Sequence, residues 1–245
     1  MNRAAPHPQR PIVQRLRMRY AKRGRMRFAS VRDFQRSLER ALRRAEVPMA
    51  FSQGFSPHPK ISYVPAVQTG VASEAEYVEI ALQDRRDPAE VRAALDEALP
   101  DGLDVVAVVE ASGASLGERL SGSTAASRWQ ISFTSLGSEV VASAVEALLA
   151  RDTLLVPRTT KSGRTELDLR AALVDAHVHD EPVNGSSCAI LHMVVRHGTP
   201  SVRPDDVLAG LRDVAGLAPP LPPVATRLAQ GPLEEETGTV LDPLS

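Results

Sequence analysis

The sequence has almost no cysteine and no long apolar run. Its single cysteine, Cys188, excludes an internal disulfide and any zinc or iron–sulfur site built from several thiolates. No uncharged apolar stretch reaches the ~18–20 residues that cross a bilayer, and no hydrophobic signal segment follows the first charges. We therefore expect a cytoplasmic protein without a membrane partner.

Several cofactor and metal motifs are also missing from the sequence. The strings GxxxxGK[ST], GxGxxG and HExxH do not occur, which argues against a nucleotide-hydrolysing, dinucleotide-dependent or zincin enzyme. His177, His179 and His192 do not form a set with the ligand spacing of a metal site, so we interpret them as surface residues. From the sequence we assign no metal and no cofactor.

Charge is distributed unevenly along the chain. Of 29 Lys and Arg and 30 Asp and Glu in total, residues 1–60 hold 15 basic and 3 acidic residues, which leaves 14 and 27 for the rest. A basic segment of this kind is typical of proteins that bind phosphates, because Lys and Arg neutralise phosphates and release counterions. The first 60 residues therefore indicate a nucleic-acid partner.

The hydrophobic pattern of the first half predicts four strands and two helices. Apolar residues alternate with arginine over 12–20, as in a half-buried strand, and Ser30 can cap a helix that begins at Val31. The order β-α-β-β-α-β is that of a ferredoxin-like unit with an antiparallel sheet. The strands are predicted at 12–20, 61–64, 74–82 and 103–111, and the helices at 31–45 and 87–99.

The second half repeats this order in outline, without a detectable sequence repeat. We therefore predict an α+β fold of two tandem ferredoxin-like (βαββαβ) units with antiparallel sheets. The predicted divisions are a basic domain over 1–111, a linker over 112–127, a second domain over 128–231 and an acidic flexible tail over 232–245.

The predicted nucleic-acid site combines the basic strand with the loop SQGFSPHPK of the first domain. Aromatic rings in the loop can stack on bases, and its polar side chains can bind base edges or phosphate. Two prolines hold His58 in a defined position. The predicted contacts are Arg15, Arg17, Arg19, Lys22, Arg23, Arg25, Arg27, Gln53, Phe55, Ser56, His58 and Lys60.

The same loop leaves two other interpretations open. In one, the protein is a metal-independent endoribonuclease in which His58 is the acid or base, Lys60 stabilises charge and Tyr63 donates a proton. In the other, the aromatic residues of the loop are buried anchors and the loop is structural. We assign no catalytic residue beyond these candidates.

The strings RLRMRYAKRGRMRF and QGFSPHPKIS resemble a bacterial radical SAM-associated family of unknown function, DUF2344. The later strings CAILHMVVRH and RPDDVLAGLRDVAGL resemble its stand-alone actinobacterial branch. The resemblance implies a separate radical SAM enzyme or a ribonuclease E/G complex as a partner, because family members are fused to, or encoded near, such proteins. The resemblance also implies that other family members carry a histidine at the position of Val31, so a role of that histidine does not carry over to this chain.

We therefore expect an RNA-binding accessory protein that assists RNA processing or modification by a separate enzyme. The chain lacks the cysteines that hold a radical SAM cluster. The alternatives are the endoribonuclease that uses His58 and a protein-interaction module for a radical SAM partner.

Overall fold

The computed structural model describes residues 11–121, 124–160, 163–183 and 186–245. The chain divides into two compact units, Met1–Gly117 with Leu244 (unit 1) and Glu118–Pro243 with Ser245 (unit 2). Residues 1–10 of the predicted first domain and residues 122–123 of the predicted linker lie outside the described residues. Among the described helices, none is both long and apolar enough to span a membrane.

Unit 1 contains an antiparallel sheet with the strand order β4-β1-β3-β2. Its elements are β1 (Gln14–Lys22), a 3-10 helix (Gly24–Phe28), α1 (Val31–Arg44), β2 (Ile61–Tyr63), β3 (Ala72–Leu82), α2 (Pro88–Ala98) and β4 (Val105–Glu110). Arg17 of β1 lies opposite Glu79 of β3 on one side and opposite Val109 of β4 on the other.

The core of unit 1 lies between one face of this sheet and the apolar sides of α1 and α2. Leu16, Met18 and Tyr20 of β1 contribute to it, which confirms the predicted alternation of that strand. Helix α1 begins at Val31 because Ser30 and Asp33 form a capping box, in which each side chain accepts from the other residue's backbone N–H.

Unit 2 contains a sheet with the order β10-β5-β9-β8, and β11 pairs with β10. If β6 and β7 are left out, β5, β8, β9 and β10 take the same places in this order as β1, β2, β3 and β4 in unit 1. The pairings of these strands within unit 2 are antiparallel. The elements are β5 (Ala125–Phe133), α4 (Ser138–Leu149), β6 (Leu155–Thr160), β7 (Gly163–Asp168), α5 (Leu169–Ala172), β8 (Leu173–Val183), β9 (Ser186–Arg196), α6 (Pro204–Ala215), β10 (Val224–Glu234) and β11 (Thr239–Val240). A short helix, α3 (Leu116–Arg119), precedes them in the chain.

Two segments differ in detail from the pattern that the sequence predicts. The hairpin of β6 and β7 is followed by α5, which Asp168 caps by accepting from the backbone N–H of Ala171, so these elements are additional to the order predicted for the second half. The segment predicted as a tail, 232–245, begins inside β10 and includes β11, which pairs with β10. Leu233 of this segment packs on Ala126 and Val194. The α+β class with mostly antiparallel sheets is confirmed.

Candidate nucleic-acid interface

Arg17 lies in the middle of β1, and other residues of unit 1 form hydrogen bonds with its guanidinium group. Its side chain is only 5% exposed. Its Nε lies 3.1 Å from Glu79 Oε2, and its two terminal nitrogens donate to the carbonyls of Ser112, at 2.9 Å, and Ala114, at 2.6 Å. These bonds fix the segment that follows β4 against the sheet, which is a structural role.

The other basic residues of β1 are also engaged in contacts within unit 1. Arg15 lies 3.3 Å from the same Glu79, and Arg19 donates to the carbonyl of Glu74 at 2.8 Å. Lys22 is buried, and burial lowers the pKa of its ammonium group although Glu76 opposes this shift. β1 therefore presents far less free positive charge than its sequence suggests.

Arg23, directly after β1, bridges two carboxylates. Its guanidinium pairs with Glu74, and one terminal nitrogen lies 2.6 Å from Asp104 Oδ2. The hydrogen bond that Arg23 donates to Glu74 is the largest cause of the raised pKa of Arg23. This side chain fixes the turn between β1 and the 3-10 helix.

The arginines of the 3-10 helix have a different environment. Arg25 is exposed, and the guanidinium carbon of Arg27 lies 4.7 Å from the ring centre of Phe28, which is 58% exposed. The Arg27 Nε is buried without a hydrogen-bond partner among the described residues. The stacked pair places a cation and an aromatic ring together at the surface.

The outer side of α1 carries a row of arginines that the sequence analysis did not select. These residues are exposed, and within the described part of the chain no carboxylate lies at ion-pair distance from any of them. Spacings of three to four residues bring them to one side of the helix, and α1 spans about 21 Å at 1.5 Å per residue. The row consists of Arg32, Arg36, Arg40, Arg43 and Arg44.

The loop over 51–60 has a defined base. Lys60 donates its backbone N–H to the carbonyl of Ala50 at 2.7 Å, and Ser52 donates to the carbonyl of His58 at 2.8 Å. The His58 backbone N–H donates in turn to Ser52 Oγ at 3.0 Å. These bonds close the base of the loop.

The tip of this loop presents its side chains to solvent. Phe55 is 86% exposed, and Gln53, Ser56 and His58 are exposed around it. Gly54 has φ +124°, a conformation that other residues rarely adopt, so the turn before Phe55 requires glycine. Lys60, at the base, is half-buried.

The chain itself keeps the loop close to the end of α1. The backbone N–H of Val47 donates to the carbonyl of Leu42 in the last turn of α1 at 3.0 Å, and Ala50 comes three positions after Val47, so Ala50 lies at most about 11 Å from Val47. Met49 forms a bridge with Leu82, and Ala50 donates to the carbonyl of Ala81 at 2.8 Å. The last turn of α1 and the base of the loop therefore belong to the same end of unit 1.

The three endoribonuclease candidates have different environments. The Tyr63 hydroxyl is buried without a hydrogen-bond partner among the described residues, whereas His58 is exposed on the loop. Burial, with a smaller effect of Glu39, raises the pKa of Tyr63 to about 12. A phenol with this pKa is a weak proton donor near neutral pH.

Two further groups in the sequence carry side chains that can do chemistry. His177, His179 and His192 lie on β8 and β9 with parallel rings, and within the described ranges no cluster of His, Cys, Asp and Glu has the arrangement of a metal site. A GxSxG string spans 113–117. The carbonyls of Ser112 and Ala114, which precede its serine, accept hydrogen bonds from Arg17, so this segment takes part in the structural contacts described above.

Unit 1 thus combines antiparallel α+β architecture with a cationic helix and an exposed aromatic loop. A family model described as "uncharacterized protein conserved in bacteria", DUF2344, matches residues 15–204. The chain belongs to this family, which confirms the resemblance noted in its sequence.

Comparison with other known proteins adds little. No curated protein shows a significant match. Among solved structures, the encapsulated DyP-type peroxidase from Mycobacterium smegmatis is 12% identical over 93% of this chain and 94% of that chain, with a TM-score of 0.20. A TM-score this low carries no argument about fold or function.

Proposed function

We propose that unit 1 binds single-stranded segments of RNA, with the backbone along α1 and bases at the 51–60 loop. The observation that carries this proposal is the exposed Phe55 on a loop with a closed base, close to the end of an arginine-rich helix. Exposed aromatic rings are sites for stacking of unpaired bases, since every base has a flat face.

The phosphate contacts in this proposal come from seven arginines of the 3-10 helix and α1. Each phosphate that they neutralise releases counterions, so the affinity should fall steeply with salt. Arg15 and Arg19, which are partly accessible on β1, are secondary contacts, and Arg17, Lys22 and Arg23 support the fold. The seven are Arg25, Arg27, Arg32, Arg36, Arg40, Arg43 and Arg44.

We propose in addition that each unit has ferredoxin-like topology. The strand order β4-β1-β3-β2 in unit 1, with α1 after the first strand and α2 after the third, supports this, and unit 2 repeats the order with the β6–β7 hairpin inserted. On this view the exposed side of α1 is the binding surface.

The proposed role is that of an accessory protein in RNA processing or modification. RNA held on unit 1 would be acted on by a separate enzyme, and the partner classes that the family resemblance implies are a radical SAM protein and a ribonuclease E/G complex. Co-purification from the native host, followed by identification of RNA and protein, tests this part.

The RNA surface is tested with the triple variant Arg32→Gln, Arg36→Gln and Arg40→Gln. Fluorescence anisotropy with a labelled 20-nucleotide RNA at several salt concentrations should show on the order of tenfold weaker binding or more. The slope of log affinity against log salt should also fall by about 2, because each single-strand phosphate contact contributes about 0.7.

The matched control is Arg85→Gln, Arg86→Gln and Arg92→Gln, which removes the same charge from exposed positions elsewhere in unit 1. We expect this control to keep most of the affinity and the salt slope. Equal loss in the two triple variants would show that net charge, not the surface of α1, determines binding, and would overturn the proposal.

A further inference from the structure

Phe28 is an exposed aromatic ring of unit 1 that the RNA contacts proposed above do not include. The chain has five phenylalanines, of which Phe34 and Phe133 are buried and Phe28, Phe51 and Phe55 are exposed. Phe28 is 58% exposed and ends the 3-10 helix, three positions before α1 begins. A single exposed apolar side chain is ordinary on a protein surface, so the place of Phe28 relative to the arginines of α1 decides whether it has a role.

The segment that carries Phe28 is held by the core and by the start of β3. Met26 of the same 3-10 helix packs on the core of unit 1, and its backbone N–H donates to the carbonyl of Arg23 at 2.9 Å. The Arg27 carbonyl accepts from the backbone N–H of Gly70 at 2.7 Å, and Gly70 comes two positions before β3. Because these contacts fix the backbone beside Phe28, a ligand that stacks on its ring has little chain entropy to overcome.

The base of the 51–60 loop is tied to the other end of β3. Ala81 accepts from the backbone N–H of Ala50 at 2.8 Å and donates to the carbonyl of Lys60 at 3.1 Å. From its first residue to Ala81 the strand covers about 30 Å, at about 3.3 Å per residue. The 3-10 helix and the base of this loop therefore lie at opposite ends of unit 1.

Helix α1 runs from one of these ends to the other. It begins at Val31, three positions after Phe28, and the segment that follows it reaches the last residue of β3, where Met49 forms a bridge with Leu82. The arginines on the outer side of α1 therefore lie between Phe28 and the loop that carries Phe55. An exposed aromatic ring is present beyond each end of the row.

Arg27 places a cation directly beside the Phe28 ring. Its guanidinium carbon lies 4.7 Å from the ring centre, and Arg25 in the same 3-10 helix is exposed. With the residue 58% exposed, much of the Phe28 ring remains accessible next to Arg27. Aromatic rings combined with cations that follow the backbone are typical of surfaces that bind single-stranded nucleic acids.

We propose that unit 1 binds one RNA strand at two base-stacking sites, Phe28 and Phe55, with the strand's backbone along α1 between them. This inference rests on the proposed RNA surface and deepens it, because two stacking sites set the length of strand that the surface needs. A span of about 30 Å corresponds to about nine nucleotides at about 3.4 Å per nucleotide of a stacked strand, and to fewer nucleotides of an extended one. The ligand is thus an unpaired segment long enough to reach both rings, and not an isolated unpaired base.

Oligouridylates of 12 and 4 nucleotides distinguish two stacking sites from one. The 12-mer can reach both rings, whereas the 4-mer covers only about 14 Å at the same spacing and occupies one site at a time. Phe28→Ala should weaken binding of the 12-mer by about tenfold, within the range for one stacked base. It should weaken binding of the 4-mer by no more than about twofold, because the 4-mer keeps its site at Phe55. Fluorescence anisotropy of the labelled 12-mer, and competition by the unlabelled 4-mer, measure the two affinities.

Two further variants control for loss of the side chain itself. Phe28→Tyr keeps the flat ring and should keep the affinity for the 12-mer. Val106→Ala removes an exposed apolar side chain on β4 and should keep the affinity for both oligonucleotides. If Phe28→Ala weakens the 12-mer no more than Val106→Ala does, or weakens the two oligonucleotides equally, the proposal is wrong.

The double variant Phe28→Ala and Phe55→Ala tests whether the two rings act at separate places. Sites about 30 Å apart should lose their contributions independently, so the double variant should bind the 12-mer about a hundredfold more weakly than the native protein. A loss no larger than that of Phe55→Ala alone would contradict a second stacking site.

Failure of this inference is distinguishable from failure of the proposed function. If the Arg32, Arg36 and Arg40 triple variant loses affinity for the 12-mer while Phe28→Ala keeps it, the RNA surface stands and the second stacking site is wrong. If the native protein binds neither oligonucleotide, both proposals are wrong.

Discussion

The two arginine-rich segments of unit 1, β1 and α1, use their charge in different ways. On β1, Arg17 is bound by Glu79 and two carbonyls, and its side chain is almost entirely buried. On α1, Arg36 and its neighbours face solvent without an ion pair in the described residues. Similar composition therefore gives arginines held by acceptors on β1 and exposed cations on α1, because the strand places Arg17 among acceptors and the outer side of the helix does not.

The largest expected effect is that of an Arg17 variant on the stability of the fold, which tests whether this arginine of β1 has a structural role. Arg17→Met should lower the free energy of unfolding by about 3–5 kcal/mol, because it breaks a buried ion pair, leaves Glu79 with only the exposed Arg15, and leaves the carbonyls of Ser112 and Ala114 without their donor. Urea unfolding followed by circular dichroism measures this change.

The control for this prediction lies on the same strand. Arg15→Gln removes the exposed partner of Glu79 and should cost less than about 1 kcal/mol, as for other surface ion pairs. RNA affinity per folded molecule should be kept in Arg17→Met and should fall only slightly in Arg15→Gln, which removes a secondary contact. A stable Arg17→Met variant that no longer binds RNA would show that β1 is a binding surface after all.

A second prediction concerns the exposed loop. Phe55→Ala should weaken RNA binding by about 1–3 kcal/mol, the usual contribution of one stacked base. Tm should hardly change, because the ring is 86% exposed and few protein contacts are lost. Anisotropy with the 20-nucleotide RNA and thermal unfolding measure the two quantities.

Leu221→Ala removes an exposed apolar side chain in unit 2 and serves as the control for Phe55→Ala. We expect it to change neither quantity appreciably. If Phe55→Ala instead lowers Tm by several degrees and leaves affinity unchanged, the loop is architecture and the base-stacking role fails.

Much of unit 1 could be predicted from the sequence because its signals are local. The alternation in β1 and the Ser30 cap depend on neighbouring residues, and both predict their elements. The partners of Arg17 could not be predicted in this way, because Glu79 and Ser112 lie 62 and 95 residues further along the chain. Only the register of β3 and the path after β4 bring them to β1.

The row of arginines on α1 could have been found in the sequence. Arg32, Arg36 and Arg40 recur at four-residue spacing, opposite the apolar positions that predict the helix. By contrast, the burial of the Tyr63 hydroxyl depends on where β2 follows the loop, and its signal is not local. Residues that face solvent on a regular element are therefore predictable, whereas buried polar residues need the tertiary structure.

The smallest expected effect extends the comparison to histidines, where His197 is enclosed and His58 is exposed. His197 Nδ1 lies 3.0 Å from the carbonyl of Leu120, to which it donates in the neutral ring, and Nε2 lies 2.7 Å from Ser127 Oγ. Burial is the largest cause of its lowered pKa, and Arg227 also lowers it, while the bond to Leu120 acts in the opposite direction.

The direction of the pH effect follows from this shift. Below the ordinary histidine pKa of about 6.5, the unfolded chain takes up a proton that folded His197 resists, so stability present above that pH is lost as the pH falls. Urea unfolding between pH 8 and 5 should show this loss in the native protein and a smaller loss in His197→Gln. Part of the slope should persist, because burial and the neighbouring His179 and His177 also lower the pKa of His192. An unchanged loss of stability in His197→Gln would show that the burial of this ring is not a source of the pH effect.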